Sequence, residues 1–592
     1  MGNKLSAVRS LCGNIKLKVR IKMLKNWIIQ NTDFSESDIL EFHQSLNGYF
    51  KDIHLTRLLA VRTGLSTEKA RNFLRPKLEN LHDPFLFNDM KKAVDRLEKA
   101  FENNEKILVY GDYDVDGTTA VALVYSFLKE FYPLNILYYI PDRYTEGYGV
   151  SFKGVDFAAE NNCTLIIALD CGIKDNARIE YANYKGIDFI VCDHHTPGLE
   201  LPKAVAVLDA KRSDNTYPFD ELSGCGVGFK FMQALCIRRK IPLENLLKYV
   251  DLTAVSIGSD IVPIVDENRI LAYYGLKKLN ENPLTCFKAL KKEAKLDGKN
   301  ITMTDSVFMI GPRINAAGRI HLGRDAVRLL TTQDETEAEK FAKEISDYNR
   351  TRKDLDRSIT AEALQKLEGT ENNSTTVVYG ENWHKGVVGI VASRLTETYF
   401  RPTIVFTKIG ETLTGSARSV SDFNLYEAVD SCREFLTAFG GHKFAAGLNL
   451  KFENFEPFAQ KFEDYVKSHI LPSQKNPEIR IEQELDFKSV TEDFYNRLKE
   501  FEPFGPGNPE PVFCTRGVTD MGSKIVGSDK RHLRLEVVDQ TGITKIGIAF
   551  GKADFYDKIR TKEPFDICYT LDLNVFNGIS SVQLVVKDIK LQ

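Results

Sequence analysis

Asp112, Asp114 and Asp116 occupy alternate positions in Gly111-Asp112-Tyr113-Asp114-Val115-Asp116-Gly117, directly after the apolar run Ile107-Leu108-Val109-Tyr110. In an extended chain, positions i, i+2 and i+4 share a face, so three carboxylates would crowd together where a buried strand ends. In a partly dry cleft they repel one another strongly unless a cation sits among them. Hard divalent ions such as Mg²⁺ and Mn²⁺ take oxygen ligands of this kind. Alone, the triple is as consistent with a solvated acidic turn as with a metal site. It is not alone. Apolar residues 164–169 run into Asp170-Cys171-Gly172, residues 187–192 into Asp193-His194-His195, and residues 254–259 into Asp260-Ile261-Val262-Pro263.

The positioning elements follow from the same pattern. Each acidic point closes an apolar run read as a strand, and helical patterns intervene over residues 118–131 and 174–184. Strands alternating with helices predict a parallel, doubly wound α/β sheet. Ligand sites in such sheets gather beyond the carboxyl ends of the strands, where all four clusters fall. Residues 332–367, rich in Glu, Lys, Arg and Ala and free of Pro and Gly, predict one long connecting helix. Strands at 376–379 and 403–407 around a helix at 387–398 predict a smaller α/β unit. Short alternating strands beyond residue 477, such as 534–538 and 582–586, predict a small barrel. The expected division is 1–100 as a helical lead-in, 101–330 as the sheet domain and 331–370 as the connector. The smaller α/β domain then takes 371–474 and the barrel 475–592.

Asp-Tyr-Asp-Val-Asp, Leu-Asp-Cys-Gly, Asp193-His194-His195 and Ser-Asp-Ile-Val-Pro match, in order, the four motifs of the DHH phosphoesterase superfamily. The chain most resembles the superfamily's bacterial single-stranded-DNA exonucleases. The stretches 141–149, 311–319, 383–393, 415–419, 440–447 and 503–509 are also family-like, so the resemblance covers roughly residues 70–592. It implies a DHH sheet domain, a DHH-associated domain and a C-terminal oligonucleotide-binding (OB) fold. It implies 5′→3′ degradation of single-stranded DNA to 5′-mononucleotides in recombination and repair. Two divalent cations, Mn²⁺ or Mg²⁺, are the implied cofactors. Asp112, Asp114 and Asp170 would hold one; Asp116, Asp170, His194 and Asp260 would hold the other, with Asp170 bridging. The implied setting is the bacterial cytoplasm and nucleoid, as a monomer, with single-strand-binding protein and a RecQ-type helicase as partners.

Adjacent side chains on an extended chain diverge, so His195 is not expected on the same ion as His194. It is assigned to the scissile phosphate, stabilising charge or protonating the leaving oxygen, with Asp193 orienting an imidazole. Arg143, Arg313, Arg319, Ser416 and Arg418 are candidate phosphate contacts, because arginine forks and glycine-flanked amides suit phosphate oxygens. Ser416 and Arg418 would take the 5′ end, and His442, after Gly440-Gly441, would approach the substrate from the smaller domain; His384 is a further candidate. Tyr144, Tyr148, Phe423 and Phe444 are available to stack on bases, and a narrow cleft between two lobes would exclude a duplex. Gly224-Cys225-Gly226-Val227-Gly228 lacks the spacing of a phosphate loop, and no Gly-Lys-Ser/Thr occurs, which argues against ATP use.

With 592 residues, 43% hydrophobic and 27% charged, the chain is long enough for three or four domains of ordinary globular composition. The net charge of −3 requires any DNA path to be a local basic groove. Ten cysteines without a Cys-x-x-Cys pair argue against zinc knuckles and disulfides, and Cys171 and Cys192 are read as packing residues. No apolar stretch approaches the ~18 residues of a membrane span, so no membrane partner is expected. The Met1-Gly2-Asn3-Lys4-Leu5-Ser6 start fits a myristoylation pattern, read as coincidental, and Met23 is an alternative start. The competing readings are a phosphodiesterase for short oligonucleotides or cyclic dinucleotides, and a non-catalytic DNA-binding scaffold. The terminal barrel and the complete set of acidic positions argue against each in turn.

Overall fold

The computed structural model describes residues 25–30, 32–132, 135–370, 372–576 and 578–591. The basic stretch 1–22 and the alternative start at Met23 lie outside them. The described chain forms two units. One comprises Ile29–Arg352 with Ile481–Gln592, and the other Lys353–Arg480 with the residues before Ile29.

A strand β1 (Asn26–Ile29) precedes the first unit's helices Glu36–Ser45, Ile53–Thr63 and Thr67–Leu74. A five-stranded sheet follows, of β2 (Lys106–Gly111), β3 (Ile136–Tyr139), β4 (Cys163–Leu169), β5 (Asp188–Cys192) and β6 (Ala206–Leu208), in the order β3-β2-β4-β5-β6. Every pairing is parallel. Strand β2 shows why both faces are covered: Ile107 and Val109 join one buried cluster, Leu108 and Tyr110 another. This is the expected doubly wound sheet. Helix Gly224–Arg239 packs on the sheet, Val250–Ser259 packs on that helix, and Asp266–Glu281 packs on Val250–Ser259.

The second unit carries a sheet of β7 (Thr376–Glu381), β8 (Thr403–Ile409), β9 (Thr412–Arg418), β10 (Leu436–His442) and β11 (Ala445–Lys451), in the order β10-β11-β9-β8-β7. The connecting helix runs Glu335–Lys366, from one unit into the other. Its buried Asp356 takes a forked ion pair from Arg394 on the helix Lys385–Tyr399, fixing the connector to the smaller domain.

After β12 (Glu478–Ile481), which pairs with β1, come β13 (Gln483–Glu484), β14 (Phe513–Asp520), β15 (Lys524–Val526), β16 (His532–Val538), β17 (Thr544–Ala549), β18 (Phe565–Phe576) and β19 (Ile579–Leu591). The β14–β16 pairing closes the ring β14-β18-β19-β17-β16, a five-stranded barrel with OB topology. The helices Glu36–Ser45, Ile53–Thr63 and Thr67–Leu74 bury their apolar faces in the barrel's own cluster, through Phe42, Leu58 and Leu74 among others, rather than against the parallel sheet. Among the described residues, no helix is long and apolar enough to cross a membrane.

Candidate metal centre

The acidic triple is built differently from the extended-chain expectation. β2 ends at Gly111, and Asp114 caps the helix Val115–Phe131 by accepting from the Gly117 amide at 3.0 Å. Asp116 therefore lies in a helical first turn, where a negative charge is favoured by the helix dipole. Asp112 alone directly follows the strand's end.

Asp260 also departs from expectation. Residues 250–259 are a helix, and Asp260 is its C-cap. A helix buried on all sides is apolar all round, which a short β-branched run cannot distinguish from a strand. The consequence is electrostatic: a carboxylate at a helix C-terminus faces the dipole's negative end and gains from a nearby cation.

These groups converge. His194 Nε2 stands 3.2 Å from an Asp170 oxygen, 3.5 Å from Asp260 and 3.6 Å from Asp116. Burial, and then the charges of Asp116, Asp114, Asp260 and Asp112, push Asp170 well above the usual carboxylate range. Burial and the charges of Asp116 and Asp114 raise Asp260 to about 8. Burial and the charge of Asp114 also push Asp112 well above the usual carboxylate range. So many buried carboxylates facing one another describe a site short of positive charge.

The residues fit a pair of divalent cations by a second observation. Both Asp112 oxygens and both His194 ring nitrogens are buried with no hydrogen bond of good geometry. Burial lowers the His194 pKa, favouring the neutral, ligating imidazole. Asp170 is held in the left-handed region at φ 58°, a strained conformation typical of functional sites.

Asp193 Oδ1 accepts from His195 Nδ1 at 2.7 Å and from the His194 amide at 2.8 Å, and Oδ2 accepts from the Ile173 amide. Burial opposes both charges, yet the hydrogen bond and pairing hold Asp193 down at about 2 and raise His195 to about 9. The two histidine rings do not diverge as an extended chain would have them: they meet edge to face, with centroids 4.6 Å apart and planes tilted by 64°. Asp170, His194 and His195 each offer a donor atom within 4.8 Å of the others, so sharing an ion is geometrically open to both histidines. The Tyr148 hydroxyl lies 2.9 Å from His195 Nε2, so this candidate stacking residue meets the histidine directly.

The glycine run 224–228, although not a phosphate loop, supports the acidic cluster, which its spacing does not signal. It opens the helix Gly224–Arg239, whose Gly224 and Cys225 amides donate to Asp116 at 2.6 and 2.8 Å; Ser256 Oγ adds a third donor at 2.7 Å. The anion at this helix N-terminus is a protein carboxylate rather than a phosphate.

Arg143 stacks on Tyr113, 4.6 Å from the ring, and its charge acts on Asp112 and Asp114. Arg319 acts on Tyr113 and Tyr144 beside it. Arg313 points elsewhere, with its guanidinium donating to the carbonyls of Met309 and Glu293. In the smaller unit, Arg418 donates to Ser416 Oγ at 3.0 Å. A Cβ on Gly389, in the Lys385–Tyr399 helix, would lie 3.0 Å from that oxygen and 3.2 Å from Arg418 Nη2. His384 caps the helix by accepting from the Gly386 amide. His442 ends β10 near the half-exposed Phe444. Phe423 is buried in this unit's core and is unavailable for stacking.

The DHH family N-terminal domain matches residues 106–257, the DHHA1 domain 372–468 and the RecJ OB domain 481–588. The chain is 34% identical over 548 residues to the single-stranded-DNA-specific exonuclease RecJ of Bacillus subtilis, covering 91% of this chain and 68% of that one. It is 34% identical over 521 residues to RecJ of Escherichia coli, covering 84% and 90%. The crystal structure of Thermus thermophilus RecJ with Mn²⁺ superposes with a TM-score of 0.82 at 26% identity, covering 96% of this chain and 80% of that one. The same protein has been solved with Mg²⁺.

Proposed function

The chain belongs to the RecJ family of single-stranded-DNA-specific exonucleases, and we propose that it digests single-stranded DNA from the 5′ end to 5′-mononucleotides in recombination and repair. The observation that carries this reading is the convergence of Asp116, Asp170 and Asp260 on one face of a buried, otherwise unpartnered His194. Asp112, Asp114 and Asp170 would hold one divalent cation; Asp116, Asp170, His194 and Asp260 would hold the other. When bound, Mn²⁺ or Mg²⁺ offsets the phosphodiester's charge and makes a nucleophile available near neutral pH. The chain's own residues do the rest. Asp193 fixes the His195 ring through Nδ1. Nε2, which the Tyr148 hydroxyl meets at 2.9 Å, is the atom that passes its proton to the leaving oxygen once the scissile phosphate displaces that hydroxyl. Arg143 and Arg319 supply positive charge beside the acidic cluster.

Polarity rests on the smaller domain. Arg418, Ser416 and the glycine-lined start of the Lys385–Tyr399 helix form a set suited to a terminal phosphate. A phosphorothioate block at the 5′ end should stop digestion, whereas a 3′ block should not; the reverse pattern rejects the polarity. Arg418→Ala should lower kcat/KM on 5′-phosphorylated strands by on the order of 10–100-fold, the value of a charge-assisted phosphate contact. The loss should be smaller on 5′-hydroxyl strands, and an equal loss on both would remove the 5′-phosphate assignment.

The barrel supplies the strand's platform. The outward residues of β16 and β17 include His532, Arg534, Ile546 and Ile548, and directly after β17 comes Phe550, which is 63% exposed and edge-on to His532. This is the strand 2–3 face that OB folds present to oligonucleotides. Phe550→Ala should weaken oligo(dT) binding by about 1–3 kcal/mol, the worth of one stacked base. Fluorescence anisotropy reads it; unchanged affinity would move the platform elsewhere. Partnership with single-strand-binding protein and a RecQ-type helicase, and a monomeric, nucleoid-associated enzyme, complete the proposal on family grounds.

A further inference from the structure

Within the first unit, the C-terminal barrel touches the sheet domain at the segment that carries Asp260. Beyond Asp260 the chain reverses at Ile261, with φ 62°, and passes through Val262, Pro263, Ile264 and Val265 before the helix Asp266–Glu281. The barrel's Pro503-Phe504-Gly505-Pro506-Gly507-Asn508 turn is seated on this segment. The Ile264 amide donates to the Pro506 carbonyl at 2.7 Å. A Cβ on Gly505 would come within 2.5 Å of the Ile264 side chain. One on Gly507, itself at φ 73°, would meet Val265 at 3.0 Å and Pro263 at 3.2 Å. Only glycine permits an approach this close.

The turn is braced from both sides. Asn508 Nδ2 donates to the Phe501 and Pro503 carbonyls at 2.9 Å each. Arg62, from the N-terminal helices, donates to Asn508 Oδ1 and pairs with the buried Glu482. Arg269, at the start of the helix after the Asp260 segment, donates to the Glu502, Pro503 and Phe73 carbonyls and stacks on Phe73 at 3.7 Å. Burial lowers its pKa to about 9, and main-chain carbonyls satisfy it in place of a carboxylate. A buried guanidinium so placed fixes three segments at once.

We propose that the Gly505–Gly507 turn and Ile264 are positioning residues, through which the C-terminal barrel sets the Asp260 carboxylate for its cation. The consequence is that the barrel is a structural part of the metal centre as well as a strand-binding module. The inference rests on the reading of Asp260 as a ligand. A ligand at the end of a helix, where the chain passes into a loop, depends on outside packing for its position, and supporting contacts of this kind are worth about 10–100-fold in metal affinity.

Direct Mn²⁺ binding to the full chain, by isothermal titration and by the electron paramagnetic resonance of free Mn²⁺, tests it with four variants. Asp260→Asn should weaken binding, and unchanged binding would sink the ligand assignment itself. Ile264→Ala and Gly507→Ala should each raise the weaker Mn²⁺ Kd about tenfold, with kcat recovered at saturating Mn²⁺. Gln483→Ala, which breaks a barrel contact to His54 remote from Asp260, should leave Mn²⁺ binding unchanged. If Asp260→Asn weakens binding while Ile264→Ala and Gly507→Ala do not, the positioning role is overturned. It is equally overturned if Gln483→Ala weakens Mn²⁺ binding as much as they do. Ile264→Val, a loss of one methyl group, replaces Ile264→Ala if the latter fails to fold, with a smaller shift in the same direction.

Discussion

Asp170→Asn is expected to cut nucleotide release from a 5′-labelled strand by about 10³-fold or more, the scale of losing a central electrostatic group, with DNA binding still measurable. Asn is the informative replacement because of the backbone. Asp170 sits at φ 58°, where Asn is tolerated but Ala costs about 1–2 kcal/mol, so Asp170→Ala would mix strain with lost charge. The same variant separates metal from fold. Without cations, burial and four neighbouring carboxylates hold Asp170 well above its ordinary value. The folded state then holds that proton more tightly than the unfolded chain, so this stabilisation is present at low pH and is lost as pH rises through the folded value. At neutral pH in chelator, the variant should therefore melt higher than the parent. With excess Mn²⁺ the order should reverse, since an ion at 100 times its Kd stabilises the parent by about 2.7 kcal/mol. Equal melting responses to Mn²⁺ in the two proteins would remove Asp170 from the metal centre.

That carboxylates would gather at the carboxyl edge of a parallel sheet was legible from apolar runs ending in Asp112, Asp170 and Asp193. The route by which they gather was less so. Alternate spacing in 112–116 suggested one extended face, whereas Asp114 caps a helix and Asp116 lies in its first turn. Residues 254–259 look like a strand because a wholly buried helix loses its polar face, and with it the 3.6-residue period. Both errors left the destination intact, because a helix terminus delivers a carboxylate to a sheet edge as readily as a strand tip does. Phe423 was misjudged for a related reason: an aromatic in a loop motif carries no signal of which way it faces, and this one faces the core. Arg313 shows the same limit, with its guanidinium turned to main-chain carbonyls. The docking of the N-terminal helices on the barrel joins segments more than 400 residues apart, which no local pattern encodes.

The glycine run, whose spacing is wrong for a phosphate loop but whose amides hold Asp116, yields the sharpest contrast. Gly224→Ala should reduce turnover by about 10²-fold, the penalty of displacing reacting groups by about 1 Å, and destabilise the fold by about 1–3 kcal/mol through overpacking. A Cβ there would fall 2.6 Å from the Asp170 Cβ, 2.9 Å from its Cα and 2.9 Å from its carboxylate. Main chain cannot swing aside as a long side chain can, so either Asp170 or the helix start must shift. Shifting the helix pulls the Gly224 and Cys225 amides off Asp116, and shifting Asp170 opens its approach to His194. Two proposed ligands are thus displaced by one methyl group. Gly226→Ala, two residues on, meets nothing closer than 3.4 Å and lies in a helix, where Ala is favoured over Gly by up to about 1 kcal/mol. It should keep full activity and melt at or above the parent. Comparable losses in the two variants would mean that the helix start matters only as a helix. Loss confined to Gly224→Ala, accompanied by weaker Mn²⁺ binding, ties the glycine to the carboxylates it lets approach.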